Sequence, residues 1–248
     1  MTLPRCATGI AELDQLLRGG IPRGNIVLVA GAPGLGKTTL AMECLVHGAE
    51  QQERGLMVAV GEPIASLERN LREFTFFDPR LFADATIRMA DLDAVLGRPT
   101  TPWTTLDDPE AVVEGVARLA ERGRCKRVAI DSVTELCRRL ADPSKVPGFL
   151  RALREALAGA GCTTLLVTQT PPRAQVYATL GEDAIADGIV LLADVERHND
   201  LVRTLQVVKM RGTEHGRARF MVDLSEHGIA LAPLIKHAGD LGPWNVTA

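Results

Sequence analysis

Short apolar runs alternate with longer amphipathic stretches along most of this chain. Ile26–Ala30, Leu56–Val60, Arg127–Ile130, Thr163–Val167 and Gly188–Ala193 are each too short for a helix. Runs that are apolar on both faces are what buried parallel strands look like, because helices cover both sides of such a sheet. Between them, Glu110–Arg122 and Val146–Ala160 carry apolar residues at helical spacing and can cross over the sheet faces. The alternation predicts an α/β, doubly wound, mainly parallel sheet with helices on both faces. After Ala193 the rhythm changes. Leu201–Lys209, Arg219–Leu224 and Gly228–Leu231 read as strands joined by tight turns, which predicts a C-terminal antiparallel extension over about 201–234. Asp91–Asp108, with Pro99, Pro102 and Trp103, has no clear periodicity and is the candidate long loop.

Composition sharpens this picture without changing it. The 248 residues are enough to bury a large core in one piece, so a single domain spanning 1–248 is expected. With 46% hydrophobic and 24% charged residues the chain is of ordinary globular type. A net charge of −3, from 28 basic and 31 acidic residues, sets up no overall field for nucleic acid or an anionic membrane. No stretch approaches the roughly 18 apolar residues of a membrane span, and Met1–Arg5 begins no apolar leader, so no membrane association is expected. Cys6, Cys44, Cys125, Cys137 and Cys162 are scattered, without a C-x-x-C pair. That usage points to a reducing cytoplasm rather than to a disulfide framework or zinc site.

The chemistry is concentrated after the first long strand. Gly31-Ala32-Pro33-Gly34-Leu35-Gly36-Lys37-Thr38 fits G-x-x-x-x-G-K-[ST], between an apolar strand and a helical pattern. In such a loop glycines let successive backbone N–H groups point at phosphate oxygens, and the helix start adds positive potential. Lys37 is the point charge for the β- and γ-phosphates of ATP, the Thr38 hydroxyl is a hard oxygen for Mg2+, and Thr39 is a candidate α-phosphate contact. The same chemistry needs a second hard oxygen beside the metal. Arg127-Val128-Ala129-Ile130-Asp131 supplies it as an apolar strand ending in a carboxylate. Near the C-terminus Lys209 and Arg211 alternate with Val208 and Met210, so on a regular strand the two charges share one face and the apolar pair the other. Spacing alone also allows a solvated edge strand.

Taken together these residues resemble a known family. Thr8-Gly9-Ile10, Leu13-Asp14, Leu16-Leu17 and Gly19-Gly20-Ile21-Pro22-Arg23-Gly24, ahead of the phosphate loop, are similar to the entry segment of KaiC-type ATPases, with RecA and RadA recombinases as more distant relatives. The likeness continues through Ile130-Asp131-Ser132-Val133-Thr134, Ala186-Asp187-Gly188-Ile189-Val190, Lys209-Met210-Arg211-Gly212-Thr213-Glu214-His215 and His227-Gly228-Ile229. It spans Thr8 to Leu234. Clock proteins of the family carry two such domains and a phosphorylated Ser-Thr pair; this chain has one domain and no convincing counterpart of the pair, so neither a clock role nor autophosphorylation is expected.

The resemblance implies a RecA-like core and an ATPase that binds ATP and ADP. It also implies a homo-oligomer assembled head to tail, for which a hexameric ring is one arrangement. In the family the strand bearing Lys209 and Arg211 reaches the neighbouring subunit's γ-phosphate, with His215 as a further candidate at that edge. Gln169, just after the fourth strand, sits where RecA-like folds place a γ-phosphate sensor. The family has two adjacent glutamates after the second strand, whereas this chain reads Val60-Gly61-Glu62-Pro63. Glu62 must then either take over the orienting of the attacking water or leave hydrolysis slow, and slow hydrolysis is expected. His47, His198, His227 and His237 have no ligand spacing.

The leading expectation is a slowly hydrolysing regulatory ATPase whose assembly, and contacts with an unidentified protein partner, change with nucleotide state. One alternative is a recombinase accessory that binds DNA. It is disfavoured because Pro171–Asp187 carries Arg173 and Tyr177 against Glu182, Asp183 and Asp187. Another is a nucleotide-binding scaffold with little turnover, suggested by Gly61.

Overall fold

The structure is a computed structural model that describes residues 3–101, 104–171, 178–197 and 200–234. A two-residue ribbon pairs β1 (Arg5–Cys6) with β2 (Ile21–Pro22), flanking α1 (Ala11–Leu16). Then come β3 (Ile26–Gly31), α2 (Lys37–Glu50), β4 (Gly55–Ala59), α3 (Ile64–Leu71), α4 (Arg80–Ala83), β5 (Ile87–Ala90) and α5 (Leu92–Leu96). The middle of the chain forms α6 (Pro109–Gly123), β6 (Arg127–Asp131), α7 (Val133–Arg139), α8 (Val146–Gly159) and β7 (Thr163–Gln169). It closes with β8 (Gly188–Arg197), β9 (Asp200–Met210), β10 (Arg219–Ser225) and β11 (Gly228–Pro233).

Among the described residues these strands form one nine-stranded sheet in the order β11-β10-β9-β8-β3-β7-β6-β4-β5. From β8 to β5 neighbouring strands are parallel, and β8 through β11 are joined antiparallel. The expected mainly parallel sheet with a C-terminal antiparallel extension is what forms. Alternation along β3 explains the layering. Val27 and Val29 enter a core with α1, α2 and the last strands, while Ile26 and Leu28 enter a second core with α6, α7 and α8. Each fully buried aliphatic side chain contributes roughly 1.5–3 kcal/mol, so both faces of the sheet hold the fold together.

Two expectations need correction. Asp91–Asp108 is not one irregular loop, because it opens with α5. Asp91 caps that helix by accepting from the Ala94 N–H at 2.9 Å, and Gly97 ends it at φ 66°. The cap residue and terminal glycine were the available signal; five residues are too few for periodicity to show. Pro102 and Trp103 lie outside the described residues.

The second correction concerns Val208 and Met210, which do not share a face. A bulge between Ile189 and Val190 of β8 pairs Ile189 with Lys209 but Val190 with Val207. Val208 is the extra residue and packs against the α6/α8 core, while Val207 and Met210 enter the α2 core. The strand is also not a simple edge, since β10 pairs with it at Thr204, Leu205 and Gln206.

Candidate functional site

The phosphate loop leaves β3 at Gly31. A Cβ there would meet the Leu192 carbonyl oxygen at 2.5 Å, so the close approach of β8 requires glycine. Gly36 caps α2 in the left-handed region at φ 93°, which favours glycine. No side chain caps α2, so its first-turn N–H groups face the loop. Ala32, Pro33, Gly34 and Leu35 complete the turn; Gly34 is also left-handed, at φ 80°.

Lys37 is 7% exposed and donates to the Ala32 carbonyl at 2.7 Å. Burial lowers the pKa of its ammonium, and the Asp131 charge opposes that shift. Asp131 ends β6, in register with Ala59 of β4 and Val167 of β7. It accepts the Thr38 hydroxyl hydrogen at 2.5 Å. Burial raises its pKa, with Thr38 and Lys37 opposing and the Glu62 charge adding to the rise. Thr39 is buried beside them.

Thr38 and Asp131 border a cavity of about 380 Å³ that is also lined by Gly61, Glu62, Gln169 and Glu135, among others. Gln169 reaches it because β7 keeps register with β3, pairing Gln169 with Gly31. The Gln169 N–H donates to the Thr134 hydroxyl at 3.1 Å. Glu62 accepts from Asn70 at 3.0 Å. Thr38 and Asp131 are hard oxygen donors already within hydrogen-bonding distance, which suits magnesium: it takes one or two protein oxygens and fills its shell with phosphate and water.

Lys209 and Arg211 are elsewhere. Lys209 donates to the Ala186 carbonyl at 2.7 Å, and Arg211 lies 3.5 Å from Asp187. Asp187 also receives Arg154 at 2.9 Å and the Ile26 N–H at 3.1 Å. Both cations therefore face one side, near the start of β3. The phosphate loop begins at its other end, roughly 16 Å away at about 3.3 Å per residue. Burial lowers the pKa of Lys209, and the neighbouring Arg211 charge adds to the effect.

Two carboxylates weighed above as acidity that would repel DNA are internal. Glu182 is 0% exposed and accepts from Thr168 at 2.9 Å, Thr134 at 3.2 Å and the Leu180 N–H at 2.8 Å. Asp187 is 6% exposed and ion-paired. Sequence counting treated buried charges as surface charge, so the acidity argument against DNA loses two of its three carboxylates. Arg173 and Tyr177 lie outside the described residues, as do His198 and His237. His215 approaches the Gly216 carbonyl, His47 meets Glu50 and Gln51, and His227 meets Thr75. Glu135 is the site residue that sequence reasoning missed.

Comparison with known proteins bears on the family and the fold. Residues 6–235 match the family described as ATPase: KaiC. A UPF0273 protein from Thermotoga maritima is 32% identical over 239 residues, covering 93% of this chain and 97% of its own. A UPF0273 protein from Methanopyrus kandleri is 33% identical over 249 aligned positions, covering 97% and 98%. The crystal structure of a KaiC-like protein from Pyrococcus horikoshii OT3 superposes with a TM-score of 0.82 at 28% identity, covering 93% of this chain and 100% of that one. The chain belongs to the KaiC ATPase family, the single-domain KaiC-like P-loop ATPases.

Proposed function

We propose that this protein binds Mg·ATP at the Gly31–Thr39 loop and hydrolyses it slowly, as a regulatory ATPase whose subunits assemble head to tail. The observation that carries the reading is the meeting of Thr38 and Asp131 on one cavity, with the buried Lys37 ammonium close enough to Asp131 for their charges to interact. Loop N–H groups and Lys37 hold the phosphates, Thr39 contacts the α-phosphate, and Gln169 senses the γ-phosphate. Thr38 and Asp131 hold magnesium, which would neutralise charge on the β- and γ-phosphate oxygens. Glu62 orients the attacking water.

Position supports the assembly. Lys209 and Arg211 sit at the far end of the sheet from their own phosphate loop, and the Arg211 side chain is 62% exposed. If these cations act on a γ-phosphate it is one bound to another copy, which favours a head-to-tail homo-oligomer, hexameric if the rotation closes at six. A change of assembly with ATP or ADP would expose different surface to a protein partner. Five free, buried thiols support a reducing cytoplasm. Phosphate release at saturating Mg·ATP, with native mass in ADP and in a non-hydrolysable ATP analogue, tests both parts. The exposed, side-chain-free Gly61 favours a second reading, a nucleotide-binding scaffold with little turnover, and the same phosphate assay separates the two.

A further inference from the structure

We infer that Glu135 is a second water-orienting carboxylate of this site, standing in the space that a side chain at position 61 would otherwise enter. The inference rests on the hydrolytic reading above.

Glu135 lies on α7, which starts at Val133, two residues after Asp131. Ser132 caps that helix by accepting the Glu135 N–H at 3.2 Å, so the first turn is anchored directly to the strand carrying Asp131. Glu135 lines the same cavity as Thr38, Asp131, Glu62 and Gln169. Arg139 donates to Glu135 Oε1 at 2.9 Å and to the Val60 carbonyl at 3.2 Å. One guanidinium thus ties the carboxylate to the strand end just before Gly61. A Cβ built on Gly61 would stand 3.9 Å from Glu135 Cγ, in ordinary contact, and the Gly61 backbone is not left-handed.

The one missing side chain and the one unassigned carboxylate therefore occupy adjoining space. Oε1 is held by Arg139, leaving the other oxygen to accept a hydrogen bond from water. In the hydrolytic step the water oxygen attacks the γ-phosphorus. The bond from that phosphorus to the β–γ bridging oxygen breaks, and its electron pair leaves with ADP. The proton shed by the water passes to the Glu135 carboxylate and then to solvent, so the products are ADP and inorganic phosphate. Glu62, held by Asn70, completes a pair of carboxylates drawn from two parts of the chain rather than from adjacent positions.

The test compares wild type, Glu135→Gln, Glu135→Ala and Gly61→Glu/Glu135→Ala. Steady-state phosphate release is measured alongside equilibrium binding of a fluorescent ATP analogue and thermal melting. Gln keeps an acceptor for Arg139, so Glu135→Gln should melt and bind nucleotide like wild type while kcat falls about 10²-fold, the usual contribution of a positioned general base. Glu135→Ala should lose at least as much. Moving the carboxylate across the gap, in the double variant, should recover at least tenfold of that loss at an unchanged magnesium requirement. Glu135→Gln turnover within twofold of wild type overturns the inference, and so does a double variant no faster than Glu135→Ala. Wild-type protein that binds ATP but releases no phosphate overturns the hydrolytic reading itself, a result distinct from either.

Discussion

Thr38 donates its hydroxyl hydrogen to Asp131 Oδ2 at 2.5 Å, joining the first turn of α2 to the C-terminal end of β6. The contact runs from the helix that follows β3 to β6, two strands away, with β7 between them and all three strands ending at this site. Oxygens this close can serve one small, hard cation without rearrangement of the backbone.

Lys37→Ala should weaken ATP binding by roughly 10- to 100-fold, corresponding to the loss of about 1.5–3 kcal/mol of charged hydrogen bonding. Equilibrium binding of labelled ATP checks this. Equal affinity in the variant would mean that the phosphates sit elsewhere.

Asp131→Asn should spare much of the nucleotide affinity but raise the magnesium concentration for half-maximal binding about tenfold or more. Because burial raises the pKa of Asp131, protons should compete with magnesium at a higher pH than for an ordinary carboxylate. Magnesium titrations of wild type at falling pH should therefore weaken early, and the asparagine variant should lack that dependence.

Glu62→Gln should lower kcat by about 10²-fold with nucleotide affinity retained. Its Asn70 contact can be kept by the glutamine carbonyl, so melting should not move. Unchanged turnover would remove Glu62 from the mechanism.

Arg211→Ala should cost about 10³-fold in turnover if its guanidinium meets the transferring phosphoryl group, and lysine should not replace it fully. Mixing inactive Lys37→Ala with inactive Arg211→Ala should partly restore activity, since some interfaces then pair an intact loop with an intact cation. Mixed rings seen by native mass but without activity would exclude action between subunits; Lys209→Ala can be run the same way.

Glu43 should make stability depend on pH. It lies on α2, accepts the Ile229 N–H at 2.7 Å, and burial raises its pKa from 4.5 to about 7, the backbone bond opposing. A raised folded-state value favours the neutral acid, so this stabilisation is complete below about pH 4.5 and is lost as pH rises through about 7. The loss is on the order of 3 kcal/mol. Glu43→Gln should match wild type near pH 4.5 and melt higher at pH 8. Parallel melting curves across that range would reject the assignment.

The sequence alone determined what depends on neighbours along the chain. Ile26–Ala30 had to be a strand because a short, two-sided apolar run can be buried in few other ways, and the phosphate loop's backbone needs were written into Gly34 and Gly36. Asp131 was legible as a carboxylate at a strand end. What pairs distant segments was decided only in three dimensions. The bulge beside Lys209, which sends Val208 and Met210 to opposite cores, depends on register with β8. Burial of Glu182 depends on two threonines from α7 and β7. The place of Glu135 beside Gly61 depends on β4 and β6 being hydrogen-bonded neighbours, so that the residues following each strand meet over one cavity. Local pattern fixes the periodicity of a segment, but it holds no information about which other segment lies against it.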